Sequence, residues 1–340
     1  MPVAVAGMHR SGTSLVIRIL AECGLDLGDP ADLDIRPTAH NLGGHWENSR
    51  FVAINRRLLA AQGGSWDRPP ALAGDWLDQP ALAPIRREAK ELVASFDSSP
   101  AWGWKDPRTS LVLPFWLELV PDLQVVICLR HPLEVAASLR RRDYLPASAA
   151  QRLWSAYYQR LAQTTAPDRR LITWFDRFFG EPQDEIVRML GFLGLEVPAE
   201  RLARASSLIA PDQRHHHLAE NDSRPLSPET GQLYRMLAGE AGTAATAHGS
   251  PPGPPPVFGG DASDDNSPLE PAGETAYWRL RSWLTPAGSF RRTLFDLLTG
   301  AGLALAGRGT SSFNAARLEL QAKWKTSTER STSINDQDAS

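Results

Sequence analysis

The chain has 340 residues, of which 42% are hydrophobic and 22% charged, with a formal net charge of -3 at pH 7. That length holds one large α/β domain with extras, or two modest domains. The pI near 6.3 argues against the strongly basic face of a nucleic-acid binder. Two cysteines, Cys23 and Cys128, each inside an apolar run, exclude a disulfide framework and predict reduced, buried thiols in a cytoplasmic protein.

The first residues, MPVAVAG, run into a loop with no basic segment before it, so no signal peptide is expected. Val3 to Ala6 is an apolar run ending at Gly7, the pattern of a buried parallel strand. GMHRSGTS follows, Gly7 to Ser14. It has the G-x-x-x-x-G frame of a phosphate-binding loop, but Thr13 stands where a nucleoside triphosphatase carries lysine, and Arg10 lies inside the loop. Successive N–H groups between a strand and a helix N-terminus cradle an anion, and the helix dipole adds to the pull. Gly7 and Gly12 permit the tight backbone, Ser11, Thr13 and Ser14 add hydroxyl donors, and Arg10 offers a planar fork for phosphate or sulfonate oxygens. His9 is read as orienting the loop. With no loop lysine and no acidic partner for magnesium in view, no metal is expected. The bland alternative is a strand–turn–helix junction that needs its glycines for geometry alone.

Thr13 to Cys23 has helical spacing, residues 27–49 read as a polar loop, and Phe51 to Gln62 as a helix. GGSWDRPP, from Gly63, is a break, and Pro80 to Phe96 has helical composition. AWGWKDPR supplies a short strand, Ala101 to Trp104, and then Asp106 and Pro107 as the N-cap and first residue of a helix reaching about Leu119. Leu123 to Leu129, LQVVICL, is the clearest strand. Arg130 leaves it, Pro132 opens a helix, and Ser138 lies two turns along. Arg130 and Ser138 therefore share a ligand only if it lies beside that helix. Arg140 to Arg142 read as the solvated basic end of the helix. A helix from Ala147 to Thr164, a strand from Leu171 to Trp174 and a helix from Gln183 to Leu193 complete the alternation.

This order predicts a P-loop three-layer α/β/α fold around a central, mostly parallel sheet. Ligands of such sheets sit at the carboxyl ends of the strands. Gly7–Ser14, Lys105–Arg108 and Arg130–His131 all follow a predicted strand at that end.

The domain is expected to occupy residues 1–225, followed by a disordered Pro/Gly/Ser-rich linker (238–275), a helical extension (276–325) and a polar disordered tail (326–340). In the extension, the basic and aromatic stretch from Tyr277 to Leu298 reads equally as a peripheral membrane contact and as packing against protein. LLTGAGLALAG, from Leu297, is too short to span a bilayer, so no transmembrane segment is expected. His215 to His217 point in different directions as neighbours on a loop, which disfavours a metal site. Trp46, Trp66, Trp76 and Trp104 read either as a sugar-binding cleft or as packing.

GMHRSGTS, GWKDPR and LRHPLEVAASL, in that order and separation, resemble the PAPS-dependent sulfotransferases, in particular the bacterial branch related to carbohydrate and tyrosyl-protein sulfotransferases. The resemblance covers roughly residues 1–220. It implies that the first loop (His9, Arg10, Ser11, Gly12, Thr13 and Ser14) holds the 5′-phosphosulfate of PAPS, and that Arg130 and Ser138 hold the 3′-phosphate. It further implies sulfuryl transfer to a hydroxyl, with a carbohydrate or glycosylated acceptor favoured. Arg10 and Lys105 are the natural cations for the leaving phosphate. The cytosolic small-molecule branch carries Lys-Thr-His where this chain has Lys105-Asp106-Pro107, so its histidine base is missing. The related carbohydrate and tyrosyl enzymes use a glutamate in a comparable region after the first helix, so the resemblance implies Glu47 as the base, with His45 and His9 as lesser candidates; the bland reading of Glu47 is a solvated loop residue capping the next helix. Arg108 reads as either a salt bridge at the sheet end or a phosphate contact. Two other classes share features. A P-loop small-molecule kinase shares the frame but calls for the loop lysine and a magnesium ligand. A non-catalytic nucleotide-binding module has no need of Arg10, Lys105, Arg130 and Ser138 together.

Overall fold

A computed structural model describes residues 1–38, 41, 43–210 and 225–243. Two compact units divide the chain: Met1–Leu139 with Ala147–Asn266, and Arg140–Pro146 with Ser267–Ser340. The first contains the sheet and the whole candidate site. The described part of the second is the end of a helix and the turn after it, where Tyr144 has φ 56°.

In chain order, β1 (Pro2–Ala6) precedes the loop and α1 (Thr13–Glu22) follows it. β2 (Leu33–Asp34) and β3 (Glu47–Asn48) form a short antiparallel pair inside the expected polar loop. Asn48 then caps α2 (Ser49–Ala61), its side chain accepting the Arg50 N–H. After α3 (Ala83–Ala94) come β4 (Trp102–Lys105), α4 (Thr109–Leu119), β5 (Gln124–Leu129) and α5 (Pro132–Asp143). The chain continues through α6 (Ala147–Thr164), β6 (Arg170–Trp174), the single turn α7 (Arg177–Gly180) and α8 (Pro182–Leu193). α9 (Ala199–Ser207) and α10 (Pro228–Thr243) are elements the sequence reading did not anticipate.

β4, β1, β5 and β6 pair in that order, and every pairing is parallel. The register aligns their ends: Val5 faces Lys105, Ala6 faces Ile127, and Leu129 faces Trp174. The chain therefore leaves the sheet along one edge at Gly7, Asp106, Arg130 and Phe175. β1 is buried throughout, as a parallel strand covered on both faces must be. On one face Val3, Val5, Val126, Cys128 and Leu171 pack with α1 and α8 through Leu15, Ile19, Met189 and Leu190. Each such side chain contributes about 1.5–3 kcal/mol when fully buried. α4, α6 and α10 cover the other face. Cys23 and Cys128 are buried thiols with no disulfide.

Three expectations change. The helix expected from Asp106 begins at Thr109. Residues 106–109 form a tighter turn, closed by the Thr109 N–H on the Asp106 carbonyl at 2.9 Å, and α4 is kinked at Val112 ahead of Pro114. Glu47 caps nothing, because Asn48 does. Past 225 the chain forms α10, and residues 238–243 complete that helix where a linker was expected to open. Ser227 accepts the Thr230 N–H at 3.3 Å and Pro228 sits in the first turn, a cap and start signal. Tyr234, Leu237, Ala238 and Ala241 are buried, which holds the helix on the domain. The rest of the expected linker, the helical extension, the tail and His215 to His217 lie outside the described residues. Among the described residues no helix is long and apolar enough to cross a membrane.

Candidate active site

The loop after β1 is built for close approach. Gly7 has φ 132°, and a Cβ there would lie 2.7 Å from the Cys128 carbonyl oxygen. Arg10 and Gly12 are both left-handed, at φ 71° and 95°. A non-glycine residue pays strain of order 1–3 kcal/mol for such a conformation, and such strain clusters at ligand clamps. Thr13 and Ser14 open α1, where N–H groups have no acceptor within the helix, so the dipole and these donors favour an anion.

The loop hydroxyls also tie the loop to its surroundings. Ser11 Oγ is fully buried, 3.0 Å from the Tyr158 phenol oxygen, and that phenol donates to the Cys128 carbonyl. Ser14 Oγ donates to the His45 carbonyl at 3.1 Å and accepts the Asn41 amide at 3.2 Å. Thr13 is buried. Ser11 and Ser14 thus fasten the loop to the scaffold. His9 is buried with its ring 4.8 Å from Trp66 and 6.0 Å from Tyr157.

Three sequence-distant residues meet beside the loop. Arg10 Nε donates to Ser138 Oγ at 2.8 Å, and Arg130 Nη1 donates to the Arg10 carbonyl at 3.2 Å. Arg10 therefore joins Arg130 to Ser138 across the two turns of helix that separate them. Arg130 Nε also donates to Glu134 at 2.8 Å, one turn along α5, and the guanidinium carbon lies 4.5 Å from the centre of the Phe175 ring.

A second cluster forms where β3 meets the end of β4. Lys105 Nζ donates to Glu47 Oε1 at 2.8 Å, with side chains 1% and 15% exposed. Arg108 Nη1 lies 3.7 Å from Glu47 and 2.8 Å from Asp106, so Arg108 makes the salt bridge at the sheet end. Burial works against the Glu47 charge, but Lys105 and then Arg108 outweigh it and hold the carboxyl at about 2; His45 adds least. Burial likewise opposes the Arg108 charge, yet Asp106 and Glu47 hold its guanidinium above the ordinary value. Burial pushes the Asp106 carboxyl up, more than Arg108 and its hydrogen bonds hold it down. Asn55 anchors the base of this cluster, donating to Asp106 at 2.9 Å and Thr109 at 3.0 Å while accepting the Trp116 indole at 2.8 Å.

The arrangement is an anion loop flanked by one arginine cluster and one lysine–carboxylate pair. A Sulfotransferase family profile matches residues 2–199, which hold every one of these groups. The chain belongs to the sulfotransferase family. Among solved structures, this sulfotransferase is similar to the sulfotransferase domain of the Synechococcus PCC 7002 olefin synthase, with 19% identity over 70% of this chain and 94% of that one and a TM-score of 0.45. It is also similar to sulfotransferase STF1 from Mycobacterium tuberculosis H37Rv (13% identity, 71% and 76% covered, TM-score 0.40). A sulfotransferase from Alicyclobacillus acidocaldarius gives 17% identity, 72% and 95% covered, and a TM-score of 0.38. No curated protein matches the chain in sequence.

Several members of this sulfotransferase's site carry no sequence motif. Glu134 had a signal, the i,i+4 spacing from Arg130. Phe175 had one too, its place directly after a predicted strand. Asn55 and Tyr158 had none, because each reaches the site from the middle of a helix. Of the four tryptophans, Trp104 is buried and stacked on Phe51 at 4.4 Å, and Trp76 is buried; both pack rather than line a cleft. Trp46 and Trp66 are half-buried.

Proposed function

We propose that this sulfotransferase takes the sulfuryl group from PAPS and places it on a hydroxyl of a carbohydrate or glycoconjugate, releasing PAP. The observation that carries the reading is the meeting of Arg10, Arg130 and Ser138 beside the loop. A nucleotide with phosphates at both 5′ and 3′ positions needs two anion sites, and this cluster gives the second one next to the first. The glycine approach at Gly7 and the first-turn N–H groups of α1 fit a 5′-phosphosulfate.

In the reaction the acceptor oxygen forms a bond to sulfur. The bond from sulfur to the 5′-phosphate oxygen breaks, and its electron pair leaves on that phosphate. The protein's task is to hold developing charge and to receive the hydroxyl proton. Arg10, tied to the loop by its own backbone and to Ser138 by its side chain, is the cation able to serve either end of the donor. Lys105 supports the transferring group, and Glu47 receives the proton. Glu47 is ionised at neutral pH but weakly basic while Lys105 holds it. A second anion sharing the Lys105 ammonium raises the basicity of Glu47, since an opposite charge favours the carboxylate less when it is divided. Half-buried Trp46, next to Glu47 in the chain, and Trp66, whose ring meets His9 at 4.8 Å, offer flat faces for a sugar.

Calorimetric titration with PAP, with and without magnesium, on the wild type and Arg130→Ala tests the reading. Expected is micromolar or tighter binding, indifferent to magnesium and weakened at least about 30-fold in the variant, the scale of losing a charged hydrogen-bonding partner. No PAP binding, with magnesium-dependent ATP binding in its place, overturns it.

A further inference from the structure

Four chain segments leave the sheet along the ligand-facing edge, and the reading above uses three of them. The fourth begins at Phe175. Its backbone N–H donates to the Leu129 carbonyl at 3.0 Å, which fixes it beside the residue where Arg130 departs. Phe179, from α7, packs against its ring edge-on at 5.0 Å. The ring also meets two parts of the candidate donor site. A Cβ on Gly12 would overlap Cδ2 of this ring, so the glycine just before α1 and the phenylalanine just after β6 are fitted to each other. The Arg130 guanidinium carbon lies 4.5 Å from the ring centre.

Arg130 is thereby held at two of its nitrogens and over its face. Glu134 takes Nε, the Arg10 carbonyl takes Nη1, and the aromatic face fixes the plane. A fork fixed in advance loses less freedom when it meets an oxyanion, and the gain appears as affinity.

We infer that Phe175 is a positioning residue for nucleotide binding: its ring sets the plane of Arg130 and so selects for a phosphate on the 3′ position. The inference rests on the PAPS reading. Phe175 touches no transferring atom and acts through Arg130.

The test compares PAP with 5′-AMP, which differs only in lacking the 3′-phosphate, on the full chain. Calorimetry is run on wild type, Phe175→Leu, Arg130→Ala and the double variant, with melting temperatures recorded for each. Leucine keeps an apolar contact for Phe179 and Gly12 but removes the π face; Phe175→Met repeats the test with a more adaptable side chain. Loss of a desolvated cation–π contact and of the pre-set plane is expected to weaken PAP about 10- to 30-fold. Affinity for 5′-AMP stays within about twofold, and Phe175→Leu adds nothing further once Arg130 is alanine, as two residues acting through one contact require. Equal weakening of PAP and 5′-AMP, or full additivity with Arg130→Ala, overturns the inference and leaves the PAPS reading standing. A wild type that binds PAP no better than 5′-AMP overturns both.

Discussion

Lys105 is 1% exposed, and its ammonium is neutralised chiefly by Glu47 at 2.8 Å. Removing one member of a buried pair leaves the other charged and unsolvated, so Glu47→Gln is expected to cost about 3–5 kcal/mol in urea unfolding. Adding Lys105→Met should recover part of that stability and none of the activity. Turnover in Glu47→Gln should fall at least about 100-fold, the lower bound for loss of a general base. A variant that keeps full turnover would remove Glu47 from the chemistry. The pH dependence follows from the sign of the shift. The Glu47 carboxyl is held at about 2 in the folded protein against 4.5 as a free side chain, so the folded state binds fewer protons. Its contribution is present in full above the unfolded value and is lost as pH falls from there toward 2. The melting temperature of the wild type should therefore decline across that window, and the decline should be shallower in Glu47→Gln.

Among the elements, α10 lies beyond the residues matched by the family profile yet backs the site. The Tyr234 ring meets His131 at 4.9 Å and Trp154 at 6.1 Å, and the Trp154 indole donates to the Arg130 carbonyl at 3.1 Å. The turn that presents Arg130 is thus pinned from behind. Leu237, 1% exposed on the same helix, should cost about 2–5 kcal/mol when cut to alanine, a loss that unfolding titrations will read directly. This helix also shows where sequence patterns lose their grip. β5 was legible because five consecutive apolar residues, three of them β-branched, stand between breakers, and α6 matched residue for residue because its apolar spacing runs unbroken over 18 positions. α10 runs into a composition change toward Ala and Gly at its C-terminal end, and that shift masks the helix that the capping sequence from Ser227 opens. β2 and β3 are two residues each, too short for any period, and they exist because Leu33–Asp34 and Glu47–Asn48 find each other across a loop. Glu47 was legible as a candidate base, but its partner Lys105 emerges only from that pairing.

At the scale of the molecule, the ligand edge is a consequence of topology: parallel strands must all end on the same side. That is why the cations of the site were legible before any contact was known, and why Phe175 could be placed at the edge but not given a task. An aromatic residue after a strand has many uses, and only its position over Gly12 and Arg130 distinguishes this one. The charge distribution yields a final prediction. A protein of net charge -3 repels a polyanionic nucleotide at long range, while Arg130 and Lys105, with side chains 6% and 1% exposed, attract it at short range. Salt screens the long-range repulsion strongly and the buried contacts weakly, because exposed charges are screened beyond about 10 Å at 0.1 M ionic strength and buried ones much less. The two effects oppose each other, so the affinity for PAP should change less than about tenfold between roughly 50 and 200 mM salt. A ligand held by an exposed basic surface behaves differently: with 6–10 phosphate contacts it loses about 10³–10⁵ over that range. Titrations with PAP at the two salt concentrations decide the matter, and a steep loss would move the nucleotide out of the Arg10–Arg130–Ser138 cluster and onto the protein's exterior.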